Sequence, residues 1–274
     1  MDPYLYALIS TFVPEHFEVL TELAGGLLIK EIRDGNTYAN GVLHSFNDLP
    51  AEIWKNGTKM WYQNGQKHRA KDLPAAIYPN GCQMWFQNGK VHRNNDLPAV
   101  ICSNGTQEWY KNGKRHRDND EPAIISSQEQ DWFQNGKLHR DNDLPAIVFS
   151  DGTKAWFQKG YRHRDNDLPA VIYLSGRKEW WQNGKIHRDN DLPAVITASG
   201  IQEWYQNGLL HRDKDLPAAI GAGTQMWFQN GFEHRDNDKP AVICDFGVQK
   251  WYQNGKLHRD NDLPAIILRK SNVV

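Results

Sequence analysis

The stretch PAVIYLSGRKEWWQNGKIHRDNDL (169–192) is one copy of a unit that recurs along the 274-residue chain. Its junction with the next copy reads HRDNDLPA, and the same eight letters stand at 139–146, 163–170, 187–194 and 258–265. Repetition at a fixed period is typical of repeat architectures, so this unit decides the fold. One histidine marks each copy: His44, His68, His92, His116, His139, His163, His187, His211, His234 and His258.

These histidines are 24 residues apart, except at two steps of 23. Both shortenings fall in the same part of the unit, at residues 126–130 (SSQEQ) and 221–225 (GAGTQ). A segment that tolerates deletion is typically an exposed loop. The sequence therefore predicts a surface turn at this position.

Two strands are predicted in each unit. Residues 169–173 (PAVIY) contain the β-branched Val171 and Ile172 and begin with Pro, which a strand tolerates at its first position. Ser175-Gly176 predicts a turn, residues 178–182 a second strand, and Asn183-Gly184 another turn, because Asn and Gly accept positive φ at low cost. An even number of strands lets identical units superpose by translation. The remainder, KIHRDNDL (185–192), is then a structured connection, and each unit advances the sheet by roughly 10 Å.

HRDNDLPA begins with the letters of the protein-kinase catalytic loop. That loop needs an Asn five residues after its Asp to hold a metal ion, whereas the fifth residue after Asp141 is Ala146. An active site is also built once per catalytic unit rather than ten times, and the sequence has no glycine-rich phosphate loop and no DFG. The motif therefore does not indicate a kinase.

The pattern W-x-x-N-G-K-x-H, followed by a short connection, a strand and a glycine turn, resembles the MORN repeat over residues 33–268. The resemblance implies an all-β repeat protein, with an elongated, twisted antiparallel sheet of about ten two-stranded hairpin units. After the histidine, MORN repeats usually continue with Gly-x-Gly where this chain has RDNDLPA, so the path of the connection stays open. Such divergent units are similar to those abundant in giant DNA viruses of amoebae. The matching letters in one copy are Trp180, Asn183, Gly184, Lys185, His187 and Gly200.

A β-propeller is the alternative fold. Two units, about 48 residues, would supply each four-stranded blade, and ten units would give five blades. A propeller closes its ring by pairing its terminal strands. The first copy of the repeat has diverged from the others (HSFNDLPA at 44–51) and follows a segment without repeats. An open sheet is therefore favoured.

Composition excludes several classes of function. Charged residues make up 24% of the chain and leave a net charge of −1, which argues against an electrostatically held nucleic acid. The three cysteines, Cys82, Cys102 and Cys244, form no disulfide framework or CxxC zinc pattern, so a reducing, intracellular compartment is expected, cytoplasmic or virus-associated. We expect no signal peptide and no transmembrane span, so the chain is not expected to be secreted. The NGT sequons at Asn56 and Asn104 are then turn sequences.

Two aromatic ladders are predicted on opposite faces of the sheet. Nine units carry a Trp, and an aromatic residue always follows it; adjacent strand residues point to opposite faces. We expect the Trp ladder to be core. The second ladder is the candidate interaction face. The residue before each Trp lies on the same face as this ladder, and it varies from unit to unit, which favours contact with solvent or a partner. Its members are Tyr62, Phe86, Tyr110, Phe133, Phe157, Trp181, Tyr205, Phe228 and Tyr252.

No catalytic residue, metal site or cofactor is predicted. Zinc needs three or four ligands around one ion, whereas successive histidines are expected roughly 10 Å apart. The pair Asp141 and Asp143 has the carboxylates that calcium prefers. Pairing of Asp with Arg, within or between units, and turn capping explain these residues more simply.

Residues 1–26 follow no repeat and are predicted to form a short N-terminal helical cap, with the repeats covering 27–274. Asp2-Pro3 is typical of a helix start, and Pro14 begins a second helix that Gly25-Gly26 ends. Solenoids need such caps over their terminal strand edges. Residues 13–23 are also faintly similar to the start of an F-box.

The sequence therefore predicts a non-enzymatic repeat scaffold for protein–protein interaction or self-assembly. A module for phospholipid membrane surfaces, and an F-box-like adaptor acting through the N-terminal helices, are the alternatives. A homodimer is expected as well. Its predicted edge is Ile266, Ile267 and Leu268, in the last strand, because an apolar strand edge invites pairing.

Overall fold

The computed structural model describes residues 17–23 and 26–268. All regular structure in these residues is β, with no helix, and it repeats with the period of the sequence. The predicted all-β repeat of antiparallel strands is therefore confirmed. The chain divides into two compact units, Met1–Ser127 and Gln128–Val274.

The first unit begins with a four-stranded antiparallel sheet, and part of the predicted helical cap is wrong. The second predicted helix is instead a strand, with Leu20 paired to Leu28. FEVLTEL alternates apolar and polar residues closely enough to suit a strand, and Gly-Gly is as typical of a hairpin turn as of a helix end. The first predicted helix lies outside the described residues. The four strands are Phe17–Leu23, Gly26–Arg33, Asn36–Ala39 and Val42–Leu43.

A main sheet follows, with two strands from each repeat. Its strands pair alternately within a repeat and with the neighbouring repeat, always antiparallel, as in Ile77 to Gln83 and Gln83 to Ile101. This is the arrangement predicted from the even strand number. In the first unit the seven strands are Glu52–Ile53, Lys59–Met60, Ala76–Ile77, Gln83–Met84, Val100–Ile101, Gln107–Glu108 and Ile124–Ile125.

In the second unit the main sheet has twelve strands. Pairing is continuous from the first to the last of them, whereas propeller blades would interrupt it every four strands. The propeller alternative is therefore wrong. The strands are Glu129–Asp131, Ile147–Phe149, Lys154–Ala155, Val171–Ile172, Lys178–Glu179, Val195–Ile196, Gln202–Glu203, Ala219–Gly221, Thr224–Met226, Val242–Cys244, Gln249–Lys250 and Ile266–Ile267.

Each complete repeat adds a small hairpin that the sequence did not predict. The expected strand 178–182 is interrupted at Trp180, because the Trp180 N–H donates to Ala194 O (2.8 Å) and its carbonyl accepts from the His187 N–H (3.1 Å). The hairpins of the first unit are Tyr62–Gln63 with Gln66–Lys67, Phe86–Gln87 with Lys90–Val91, and Tyr110–Lys111 with Lys114–Arg115.

Those of the second unit are Phe133–Gln134 with Lys137–Leu138, Phe157–Gln158 with Tyr161–Arg162, Trp181–Gln182 with Lys185–Ile186, Tyr205–Gln206 with Leu209–Leu210, Phe228–Gln229 with Phe232–Glu233, and Tyr252–Gln253 with Lys256–Leu257. The first residues of the predicted connection thus belong to a strand.

The turns lie where the sequence placed them. Asn183 (φ 48°) and Gly184 (φ 82°) make a two-residue hairpin turn with positive φ at both positions, for which Asn-Gly is the preferred pair. In the shortened repeat at 221–225 the missing residue comes from the main-sheet turn. There Ala222 (φ 49°) and Gly223 (φ 71°) replace the longer loop, which confirms that turn as the site of deletion.

The Trp ladder is core, as predicted. All nine rings are buried, and the backbone N–H of each tryptophan donates to the carbonyl of a PA alanine, which except at Ala265 has no solvent exposure. A larger side chain has no space at these alanines, which accounts for the constant Pro-Ala. The buried tryptophans are Trp61, Trp85, Trp109, Trp132, Trp156, Trp180, Trp204, Trp227 and Trp251.

The expectation about the cysteines is wrong. Cys82 and Cys102 form a disulfide, and Cys244 is free. The reason is register: Gln83 pairs with Ile101, so the next position outward places the two cysteines opposite each other, just outside the paired strands of adjacent repeats. The reducing compartment inferred from the cysteine pattern loses this support, because disulfides persist mainly in oxidising compartments.

Candidate functional site

Within each compact unit, the arginine of HRDNDLPA joins a repeat to the preceding one. Arg164 Nε and Nη2 donate to the two carboxylate oxygens of Asp143 (2.7 and 2.8 Å), and its guanidinium lies 3.9 Å from the centre of the Trp156 ring. Its Nη1 donates to Pro169 O (3.3 Å). Such pairs include Arg69–Asp48, Arg93–Asp72, Arg117–Asp96, Arg164–Asp143, Arg188–Asp167, Arg212–Asp191, Arg235–Asp215 and Arg259–Asp238.

Within each compact unit, the histidine of most copies joins its repeat to the following one. His163 Nδ1 accepts the backbone N–H of Asn183 in the next hairpin turn (3.3 Å), and its Nε2 lies 2.9 Å from Asp165 Oδ1. An Nδ1 that accepts leaves Nε2 as the donor, so both ring nitrogens are occupied in the neutral form. The bond through Nδ1 recurs at His44, His92, His139, His163, His187, His211 and His234.

The other letters of the motif also have structural contacts. Asp165 accepts from the Gln158 amide (2.7 Å), and Asn166 and Asp167 turn the chain with φ of 58° and 54°. Asp167 O accepts the Trp180 indole N–H of the next repeat (3.0 Å). The Ala170 carbonyl accepts the Trp156 N–H (2.8 Å). The letters shared with kinases thus hold neighbouring repeats together.

These contacts lower the pKa of the aspartate carboxylates. Hydrogen bonds from the next repeat's arginine lower the pKa of Asp143, Asp167 and Asp191. A carboxylate whose folded pKa is below its unfolded value stabilises the fold above the unfolded pKa, and that stability is lost as pH falls through the folded pKa. We therefore expect the thermal unfolding midpoint to fall as the pH is lowered below about 4.

Differential scanning calorimetry across this pH range tests the expectation. In a variant carrying Asp143→Asn, Asp167→Asn and Asp191→Asn, the midpoint at neutral pH should be lower and its decline with acid shallower. An equally steep decline in wild type and variant would assign the acid sensitivity to other carboxylates.

The second aromatic ladder lies half-buried on the face that carries the residues preceding the tryptophans. The Tyr205 hydroxyl donates to Glu203 (3.2 Å) and the Trp181 indole to Glu179 (3.0 Å). Several preceding residues, such as Met60, Ala155 and Glu179, are themselves buried. Their variation therefore reflects how each repeat fills the space beneath its ladder ring, rather than contact with solvent.

Charged groups lie close to these rings. Burial, together with the Glu203 carboxylate, raises the pKa of Tyr205 to about 12, so its hydroxyl stays a donor at neutral pH. Arg162 lies 5.0 Å from the Trp181 ring centre and 5.8 Å from that of Phe157, between two successive ladder positions. The ladder is thus an aromatic surface with fixed polar groups. No simple signal in the sequence identified Arg162 or Glu179 as part of it.

The opposite face of the main sheet has a different composition. Ile172 is paired with both Lys154 and Lys178, and Ile196 with Lys178 and Gln202. The isoleucines are half-buried beside exposed Lys and Gln side chains, whose stems cover apolar surface while their heads reach water. This face supplies matched control positions for the ladder.

The predicted dimer edge is exposed. Ile266, Ile267 and Leu268 are 42, 38 and 69% exposed, and the strand Ile266–Ile267 pairs with Gln249–Lys250. These apolar side chains suit an association surface. The homodimer itself stays a prediction.

The described residues hold neither a cluster of metal ligands nor a membrane-spanning helix. Within 17–23 and 26–268, no group of three His, Cys, Asp or Glu side chains converges as metal ligands would. An open cleft of about 470 Å³ between successive connections is lined by His187, Asp189, His211 and Asp213, whose side chains already make the contacts described above. The described part of the chain has no helix long and apolar enough to cross a membrane.

Comparison with known proteins gives no family. No protein-family model matches the sequence, and no curated protein is significantly similar to it.

Proposed function

We propose that this chain is a non-enzymatic repeat scaffold whose second aromatic ladder binds a protein surface. The observation that carries the proposal is that some positions of the repeat hold neighbouring repeats together, whereas others stay accessible. The constant Trp, His, Arg, Asp, Pro and Ala are occupied in holding the repeats together, whereas the rings of the second ladder remain half-exposed. The resemblance to MORN repeats, which implies scaffolding and self-association, agrees with this role.

The chemistry of the ladder suits protein recognition. Aromatic side chains and Arg are enriched at protein–protein interfaces, since they bury a large area with little loss of conformational freedom. Arg162, between the rings of Phe157 and Trp181, provides a fixed cation at the centre of the second unit's ladder. The neighbouring Glu203, which is half-buried, provides an acceptor. A partner surface that combines apolar and charged groups fits these features.

Paired variants on the two faces test the proposal. The ladder variant carries Phe157→Ser, Trp181→Ser and Tyr205→Ser; the control carries Lys154→Ser, Lys178→Ser and Gln202→Ser, on exposed positions of the opposite face. In affinity capture from the native source, proteins retained by wild type and control should be lost from the ladder variant. Circular dichroism must show that both variants are folded.

Loss of the same proteins from both variants, or from neither, would contradict the proposal. Light scattering on these samples reports self-association, with Ile266→Lys and Ile267→Lys as the variant of the predicted dimer edge. A dimer that the edge variant abolishes and the ladder variant retains would separate self-association from partner binding.

Membrane binding is the second candidate, favoured by the hairpin turns of the second unit. The residue after the turn glycine is an exposed Lys or an exposed apolar residue, a combination that suits an anionic membrane surface. Cosedimentation with phosphatidylserine vesicles distinguishes this candidate from protein binding. These residues are Lys137, Tyr161, Lys185, Leu209, Phe232 and Lys256.

A further inference from the structure

The disulfide Cys82–Cys102 is a covalent link between two repeats. We infer that it is a reducible cross-link whose opening lowers the stability of the first unit without changing its fold. The two cysteines each lie one residue outside neighbouring strands of the main sheet, in adjacent repeats. Both are half-buried, so an external thiol can reach the bond. The inference is independent of the partner that the scaffold binds.

Other junctions between repeats show that the sheet does not need this bond. At the equivalent position the register places Thr153 opposite Tyr173 and Arg177 opposite Thr197, one step outward from the paired strands. These junctions have the same strand pairing without a covalent link. The dithiol form of the first unit therefore has the same means of holding its strands together as the junctions of the second unit.

The backbone around the cysteines supports this conclusion. The Cys82 carbonyl accepts the Tyr78 N–H (2.9 Å) and the Cys102 N–H donates to Thr106 O (2.9 Å), each within its own turn. The equivalent bond in the second unit, from the Tyr173 N–H to Arg177 O, is also 2.9 Å long. Opening the disulfide removes none of these hydrogen bonds.

The disulfide instead limits how far the segment between the cysteines can unfold. That segment contains Trp85, the hairpin Phe86–Gln87 with Lys90–Val91, and a complete HRNNDLPA connection. A cross-link that closes a loop of this length removes conformational entropy from the unfolded chain. Reduction should therefore raise the population of locally opened states between residues 83 and 101.

Low-molecular-mass thiols of the glutathione class are the reductant. A thiolate attacks one cysteine sulfur, forming a mixed disulfide while the other cysteine leaves as a thiolate and takes up a proton. A second thiol then attacks the mixed disulfide and releases the oxidised dimer of the small thiol. The net reaction converts one protein disulfide and two thiols into two cysteine thiols and one small disulfide.

The test uses the full chain in glutathione buffers of defined redox ratio, with thiols counted by alkylation and mass spectrometry. One alkylated cysteine, Cys244, is expected in oxidising buffer and three in reducing buffer. Hydrogen exchange of residues 83–101 should accelerate on the order of a hundredfold on reduction, while circular dichroism stays unchanged. The variant Cys82→Ser with Cys102→Ser should exchange like the reduced protein in either buffer.

The second unit offers a matched variant in which a new disulfide can form. Thr224 is paired with Cys244, and its Oγ1 lies 3.7 Å from the Cys244 sulfur. Thr224→Cys should therefore form a second reducible link and slow exchange in its own segment under oxidising conditions only. Three alkylated cysteines in fully oxidising buffer, exchange unaffected by reduction, or loss of the sheet on reduction would each overturn the inference.

Discussion

Trp156→Ala is expected to lower the free energy of unfolding by about 3–5 kcal/mol, as for a large aromatic side chain removed from a core. The Trp156 ring is buried, its indole N–H donates to Asp143 O of the preceding repeat (3.0 Å), and Arg164 covers its face at 3.9 Å. The substitution leaves a cavity, an unpaired carbonyl and a guanidinium without its stacking partner. Urea unfolding followed by far-ultraviolet circular dichroism measures the loss.

The adjacent Phe157→Ala is the control, since it removes an aromatic side chain from the other ladder. Its ring is only half-buried, so the apolar area returned to water is smaller, and we expect a loss of about 1–2 kcal/mol. The binding test should respond more strongly to Phe157→Ala than this loss of stability suggests. Large and equal losses at both positions would show that both ladders are core and would remove the support for the interaction face.

The sequence identified the parts of the fold that depend on local chemistry. Asn183-Gly184 accepts positive φ wherever it occurs, and the constant period fixes the succession of main-sheet strands. The break at Trp180 was missed because its cause is distant in sequence: the Trp180 N–H bonds a carbonyl of Ala194, fourteen residues later. The hairpin strand Lys185–Ile186 was missed although Asn-Gly turns commonly join two short strands.

The contacts between repeats were harder to foresee than the repeats themselves. The pairing of Arg with Asp was expected either within or between units, and the structure selects the second: Arg164 bonds Asp143 of the preceding repeat, 21 positions away. Cys82 and Cys102 each lie one residue outside the pair Gln83 and Ile101. The disulfide could therefore have been predicted once this register was known. Strand register depends on the turn length and on the opposing strand, which no single repeat specifies.

Arg164→Ala is expected to lower the free energy of unfolding by about 2–3 kcal/mol. The ion pair alone does not account for this value, because the Asp143 side chain is 48% exposed and exposed pairs contribute about 0–1 kcal/mol. The Arg164 side chain itself is only 14% exposed. Most of the loss should therefore come from its packing on Trp156 and its bond to the Pro169 carbonyl.

Two further substitutions separate these contributions. Arg164→Lys keeps the charge but not the planar group that stacks on Trp156 and bonds both Asp143 oxygens, whereas Arg164→Met keeps an apolar stem without charge. If stacking and packing dominate, both variants should unfold at similar urea concentrations, between those of wild type and Arg164→Ala. The differences should also persist in 1 M NaCl, which screens exposed charges. Full recovery in Arg164→Lys that disappears in salt would mean that the ion pair, rather than the stacked guanidinium, joins one repeat to the next.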